Sequence, residues 1–146
     1  MASCMDIIHS GHFNAMRQAK QLGDILVMGV IADDEIRRCK GPPVMSQDER
    51  AIMIEACKWV DEVIMGVEYY VTPEILNRVG CDFVAHGDDL AIRKDTGTDA
   101  YEDVRNAGML KIIKRTEGVS TTEMVGKMLL MTTSEPISES GQSANQ

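Results

Sequence analysis

Four short apolar runs, each too brief for a buried helix, alternate with segments that carry helix start signals, and this alternation restricts the chain more than any other feature. The runs are Ile25 to Ile31, Glu62 to Met65, Phe83 to His86 and Lys111 to Ile113, mostly aliphatic or β-branched. Such runs suit strands buried on both faces, as in a parallel sheet. Between them, Ser46-Gln47-Asp48-Glu49 and Ser120-Thr121-Thr122-Glu123 have the form of capping boxes, and Thr72-Pro73-Glu74 sets a cap before a first-turn proline. Gly23 and Gly80 stand where the first and fourth helices should stop. Strands and helices in this order predict βαβ units, with ligands bound beyond the carboxyl ends of the strands.

At 146 residues and 44% apolar content, the chain has the size of one domain with its own core. A net charge of -8 argues against a nucleic-acid or anionic-membrane binder, since displacing counterions from phosphates needs a basic face. A local basic pocket for a small anion remains compatible with that charge. The four cysteines, Cys4, Cys39, Cys57 and Cys81, form no C-x-x-C pair, which favours a reduced compartment. No run approaches the roughly eighteen apolar residues of a membrane span, and Met1 to His9 lacks the pattern of a secretory signal, so a cytoplasmic location is expected.

His9-Ser10-Gly11-His12 lies between Asp6-Ile7-Ile8 and the helical pattern Phe13, Met16, Ala19, which places it at a strand-to-helix turn. Free backbone N–H groups at such a turn face an anion, Gly11 permits close approach, and two imidazoles can stabilise charge on a five-coordinate phosphorus. The alternative is a histidine pair that only caps or packs. A metal reading with His86 as third ligand lacks a carboxylate or thiol at ligand spacing, so no protein metal site is expected. Arg115-Thr116-Glu117-Gly118-Val119-Ser120-Thr121 follows the last strand and opens the last helix, with Lys114 adjoining. It reads as a polyphosphate cradle, or as a capped helix after a basic loop, and the two are compatible.

Lys40, followed by Gly41-Pro42-Pro43, sits on a stiff loop from which a cation could close over the site. The alternative is a solvated lysine. His86-Gly87-Asp88-Asp89 ends a strand and reads equally as a ligand-binding edge or a turn. Trp59 is assigned to packing, and Tyr69 or Tyr70 offers a π face to an ammonium group.

Taken in register from about Cys4 to Met131, these motifs, with Lys40 to Val44, Lys58 to Val63 and Gly126 to Met131, resemble the amino-terminal catalytic half of the ethanolamine-phosphate cytidylyltransferase family. The two phosphate motifs alone would indicate only the wider group, which includes choline-phosphate and glycerol-3-phosphate enzymes. The resemblance implies a Rossmann-like, doubly wound parallel sheet of the HxGH nucleotidyltransferase type. It implies transfer of a cytidylyl group from CTP to phosphoethanolamine, with magnesium accompanying the nucleotide. His9, His12 and Lys40 would be catalytic, and Asp6, Gly11, His86, Asp88, Arg115, Thr116, Gly118, Ser120 and Thr121 would bind nucleotide. Tyr69 and Asp89 would bind the amino-alcohol substrate. Choline-phosphate specificity and a non-catalytic nucleotide-binding form are the alternatives. Pairing with a second cytidylyltransferase half or another copy of the chain stays open.

Two departures from the family pattern set further expectations. The family has a first strand leading into Gly-x-Phe-Asp before the first histidine, whereas here Met1-Ala2-Ser3-Cys4-Met5 precedes Asp6. The first strand is therefore expected to be missing. Loss of four buried aliphatic side chains would remove about 8 kcal/mol, comparable to the roughly 5–15 kcal/mol stability of a domain. A marginally folded, poorly active chain is expected unless upstream residues or another chain fill the gap. The domain is expected to span residues 1–131, and residues 132–146, poor in apolar groups and resembling the linker before the family's second half, are expected to be a disordered tail.

Overall fold

The structure, a computed structural model, describes residues 1–133. Strands and helices alternate through most of it: β1 (Ala2–Ser3), α1 (Ser10–Lys20), β2 (Val27–Ile31), α2 (Asp33–Cys39), α3 (Gln47–Glu55), β3 (Glu62–Val67), α4 (Pro73–Arg78), β4 (Val84–Gly87), α5 (Glu102–Asn106), β5 (Leu110–Ile113) and α6 (Thr121–Thr133). The four apolar runs are all strands, with ends moved by one or two residues. Thr72 accepts from the Ile75 amide, and Ser46 and Glu49 form the reciprocal capping box. Gly80 has φ +69°, the left-handed geometry that stops α4, whereas α1 already ends at Lys20, before Gly23.

The first strand, expected to be missing, is present as two residues. Ala2 and Ser3 pair in parallel with Gly29 and Val30, and the Gly29 amide donates to the Met1 carbonyl at 2.8 Å. Gly29 is required by the crowding there, since a Cβ would lie 2.9 Å from Val67 Cγ2 and 3.4 Å from Ala2 Cβ. The tail expectation needs adjustment at its start, because Thr132 and Thr133 belong to α6. The rest of that segment lies outside the described residues.

All strand pairs are parallel, but the ladders form two sheets, β1-β2-β3 and β4-β5. β1 touches β4 without pairing to it. A cleft of about 320 Å³, lined in part by Met1, Leu26, Val27, Phe83 and Ala85, opens between the amino ends of β2 and β4. The apolar core nevertheless runs across both sheets: Met16 and Ala19 of α1 and Ala51 and Ile54 of α3 pack with Met28, Val30, Ala85 and Ile113. Leu76 of α4 and Val104 of α5 pack with Val84 in a separate cluster. Val84 and Ala85 are successive residues of one strand, so their side chains leave opposite faces. Helices therefore cover both sides, as a doubly wound fold requires.

Candidate active site at the carboxyl ends of the strands

The segment after β1 is bent into an unusual path. Met5 and Ile7 have φ of 51° and 50°, left-handed values that a β-branched isoleucine rarely adopts. Arg50, fully buried on α3, holds the bend by donating to the carbonyls of Cys4 (2.7 Å), Ile31 (2.8 Å) and Met45 (3.3 Å) and to Asp33 (2.5 Å). The Asp6 carboxylate accepts the amides of Val44 and Met45, both at 2.9 Å. The strain is thus offset by bonds that tie the ends of β1 and β2 to the loop beyond Lys40.

His9 then caps α1 in place of the usual serine or aspartate. Its Nδ1 accepts from the Gly11 amide at 3.1 Å, and Nδ1 of His12 accepts from the His9 amide at 3.2 Å, a capping box made of two imidazoles. A backbone amide only donates, so both Nδ1 atoms must be unprotonated and the remaining ring proton of each neutral histidine sits on Nε2. Burial, followed by the neighbouring positive charges, lowers the pKa of His12 to about 4. Burial and then Arg115 lower that of His9. Near neutral pH the pair therefore presents two Nε2–H donors. Gly11 has a second duty here: a Cβ would lie 2.9 Å from His9 Cε1 and 3.0 Å from Nδ1, so any larger residue displaces that ring.

Of the residues named from the sequence, a cleft of about 250 Å³ brings together His9, Gly11, His12, Lys40, His86, Asp89, Arg115, Thr116, Ser120 and Thr121, along with Ser3, Lys114 and Thr122. Among the described residues, Lys40 Nζ has no hydrogen bond or ion pair. Arg115 donates to Asp89 at 2.6 Å, its side chain 56% exposed, while its amide donates to Asp88 at 3.3 Å. The pair is open to water, so Arg115 can exchange a carboxylate for a phosphate at small cost. His86 stacks on Tyr101 with centroids 4.0 Å apart, and its Nε2 is buried without a partner among the described residues. An orphaned polar atom on a cleft wall is a natural point for a ligand to bind. Ser120 caps α6 as predicted, its Oγ accepting from the Glu123 amide at 3.1 Å, but the Glu123 carboxylate accepts from that same hydroxyl (3.3 Å) and not from the Ser120 amide as a full capping box would have it. Thr121 donates to the Asp6 carbonyl at 3.3 Å.

Four expected residues do not line this cleft. Asp6 and Asp88 spend their carboxylates on backbone amides, holding loops in place. Gly118, with φ +69°, shapes the turn before α6. Tyr69 packs among the buried side chains of two clusters, which pushes its pKa up to about 12. Conversely, sequence reasoning passed over Asn14 and Gln18. Asn14 donates to Thr116 Oγ1 at 2.8 Å, and the Gln18 amide both donates to the Lys114 carbonyl (2.8 Å) and accepts from its N–H (3.1 Å), docking the loop between β5 and α6 on α1. Their signal was two amides four residues apart, on one face of a helix otherwise read for its apolar positions.

Residues 1–127 match the family described as cytidylyltransferase-like. The chain belongs to the cytidylyltransferase-like family. Among curated relatives, this cytidylyltransferase-like chain is 54% identical over 129 residues to ethanolamine-phosphate cytidylyltransferase of Dictyostelium discoideum, covering 88% of the chain and 36% of the relative. It is 50% identical to the enzyme of that name from Mus musculus, covering 88% and 32%. Identity to choline-phosphate cytidylyltransferase A of Mus musculus is 37%, covering 85% and 34%. The cytidylyltransferase-like chain thus spans about a third of the length of the curated relatives it matches. A solved structure, the lipopolysaccharide core biosynthesis protein of Thermoplasma volcanium, superposes with a TM-score of 0.59 at 27% identity, covering 79% of the chain and 92% of that protein. No helix among the described residues is long and apolar enough to cross a membrane.

Proposed function

We propose that this chain transfers a cytidylyl group from CTP to phosphoethanolamine, giving CDP-ethanolamine and pyrophosphate. The observation that carries the reading is the convergence, on one cleft, of two imidazole donors, Lys40, Arg115 and the amino end of α6. A phosphate oxygen of phosphoethanolamine attacks the α-phosphorus of CTP, a new P–O bond forms, and the bond to the bridging oxygen breaks with pyrophosphate leaving. His9 and His12 donate from Nε2 to phosphate oxygens as negative charge shifts towards the leaving group, and Lys40 and Arg115 offset that charge. No protein nucleophile is needed, so catalysis consists of positioning and preorganised electrostatics. The preference for ethanolamine over choline is supported by identities of 54% and 50% against 37%.

Magnesium belongs to this reading as a companion of the nucleotide. Among the described residues no group of three His, Cys, Asp or Glu could hold a metal, and the Asp6 and Asp89 carboxylates are engaged elsewhere. The side chains thus do not fit a protein-held ion, which would instead be bound through phosphate oxygens and water.

The test is pyrophosphate release from CTP in the presence of phosphoethanolamine or phosphocholine. The expected result is release with phosphoethanolamine, reduced roughly 100-fold or more in His12→Ala. CTP-induced thermal stabilisation with no release would instead identify a nucleotide binder without turnover. Faster release with phosphocholine would overturn the substrate assignment.

A further inference from the structure

We propose that the hairpin formed by residues 91–100 is a brace for Lys40, and that Asp95 is the positioning residue through which it acts. The proposal rests on the reaction proposed above for its catalytic consequence, but its structural half stands separately.

Lys40 is the C-cap of α2, a helix of only seven residues. The last carbonyls of any helix lack intrahelical partners, and here two of them are met from outside by one residue. The Lys94 amide donates to the Cys39 carbonyl at 3.0 Å, and the Lys94 ammonium donates to the Lys40 carbonyl at 2.5 Å. Immediately beyond lies Gly41, with φ +132°, where the chain turns freely. Lys40 therefore stands between a helix end and a glycine pivot, and its orientation depends on how firmly the helix end is held.

The hairpin is stiff enough to hold it. The Arg93 amide donates to Thr98 O at 2.9 Å, the Gly97 amide to Arg93 O at 2.8 Å, and Ile92 bridges to Asp99. Asp95 joins this hairpin to α2. Its carboxylate accepts Nε and Nη2 of Arg93, at 3.1 and 2.8 Å, and Nη1 of Arg38 on the helix. Arg38 is itself fixed by both oxygens of Glu35, at 2.7 and 2.8 Å. An isolated surface ion pair contributes little, but networks with bidentate arginine geometry are the exception. Asp95 and Arg93 keep only 20% and 15% of their side-chain surface exposed. Among the described residues, neither Lys94 nor Asp95 lines the cleft, so both act only through Lys40.

The experiment compares Asp95→Ala in the 146-residue chain with the same change in a Lys40→Ala background. Turnover should fall about tenfold in the first, with KM for CTP and phosphoethanolamine changed less than about twofold, because catalysis by positioning is sensitive to small misplacement. In the Lys40→Ala background the same change should have no further effect. Asp95→Asn, which keeps the shape and loses the charge, should lie between Asp95→Ala and wild type. Hydrogen exchange gives the separate structural readout: the Lys40 and Gly41 amides, both bonded to the Ile36 carbonyl at 2.8 and 3.0 Å, should exchange at least about tenfold faster in Asp95→Ala. Equal loss of turnover in both backgrounds overturns the proposal, as does unchanged exchange at these amides. If the unmodified chain releases no pyrophosphate, the reaction assignment falls, and exchange alone decides whether the brace exists.

Discussion

Replacing Arg50 with methionine removes one guanidinium from a fully buried site, and the structure sets the scale of the loss. Three carbonyls, those of Cys4, Ile31 and Met45, lose their guanidinium donor, while Asp33 keeps the Gln47 amide and is 36% exposed. Leaving buried acceptors unmatched costs about 1 kcal/mol or more each, and breaking a buried charge pair from one side costs roughly 3–5 kcal/mol in total. Rehydration of Asp33 places the expected loss near the lower end, about 3 kcal/mol, still a large share of a typical domain's roughly 5–15 kcal/mol. A second effect follows from the left-handed Met5 and Ile7, each held against roughly 1–2 kcal/mol of strain. With the clamp gone, the bend can relax and carry His9 away from the cleft, so activity per folded molecule should fall as well. Urea denaturation followed by circular dichroism gives the first quantity, and pyrophosphate release normalised to the folded fraction gives the second. Arg50→Lys should recover only a minority of either, because a single ammonium cannot span the directions served by the guanidinium fork. A stability loss below about 1 kcal/mol, or undiminished activity per folded molecule, would refute the assignment of Arg50 as the clamp.

Three other outcomes are expected. Gly11→Ala should push the His9 ring aside and lower turnover roughly 100-fold while the melting temperature moves only a few degrees; steady-state kinetics beside a thermal melt checks both. Stability should fall as pH drops from about 6.5 towards 4: His12, its pKa lowered to about 4 in the fold, takes up protons more readily when unfolded, so its contribution is present above its ordinary pKa and lost through that window. His9 and His86, also lowered by burial, act in the same direction. Denaturation at stepped pH should show His12→Gln flattening the slope, by roughly 2 kcal/mol across the range after allowing for partial solvent access. Gln18→Ala should cost about 1–2 kcal/mol and raise KM for CTP more than it lowers turnover, since it frees the loop bearing Arg115.

The parts legible in the sequence were those fixed by local chemistry. Ser46, Thr72 and Ser120 cap helices where their spacing predicted, and Val84 and Ala85 belong to a strand with both faces covered. His9, His12 and Arg115 share a cleft because each lies beyond the carboxyl end of a strand, which the alternation of elements implies, and Lys40 joins them from the far end of α2. What the sequence hid depends on contacts between distant segments. Nothing around Arg50 announces a buried arginine, since its partners lie 46 and 19 residues away as backbone carbonyls, which carry no residue code. That Asp6 and Asp88 accept backbone amides was equally hidden, because a carboxylate beside a phosphate motif has the same sequence signature whether it faces a ligand or a backbone amide. The two-residue β1 was overlooked because Ala2 and Ser3 carry no strand signal of their own and are held by pairing with Gly29 and Val30.

The division of the ladder into two sheets bears on how the molecule answers to its ligand. Among the described residues no strand pairing joins the two sheets; a shared apolar core does, with the Lys94 amide bonded to the Cys39 carbonyl and side-chain bonds such as Tyr101 to the Ala2 carbonyl and Asn14 to Thr116. The cleft lies across that seam, its imidazoles rooted beside one sheet and Arg115 and Ser120 beside the other. On the proposed function, a triphosphate gripped from both sides would act as a staple across the seam, so CTP should slow amide exchange in β4 and β5 and in β2 and β3 together, turning two loosely coupled halves into one cooperative unit.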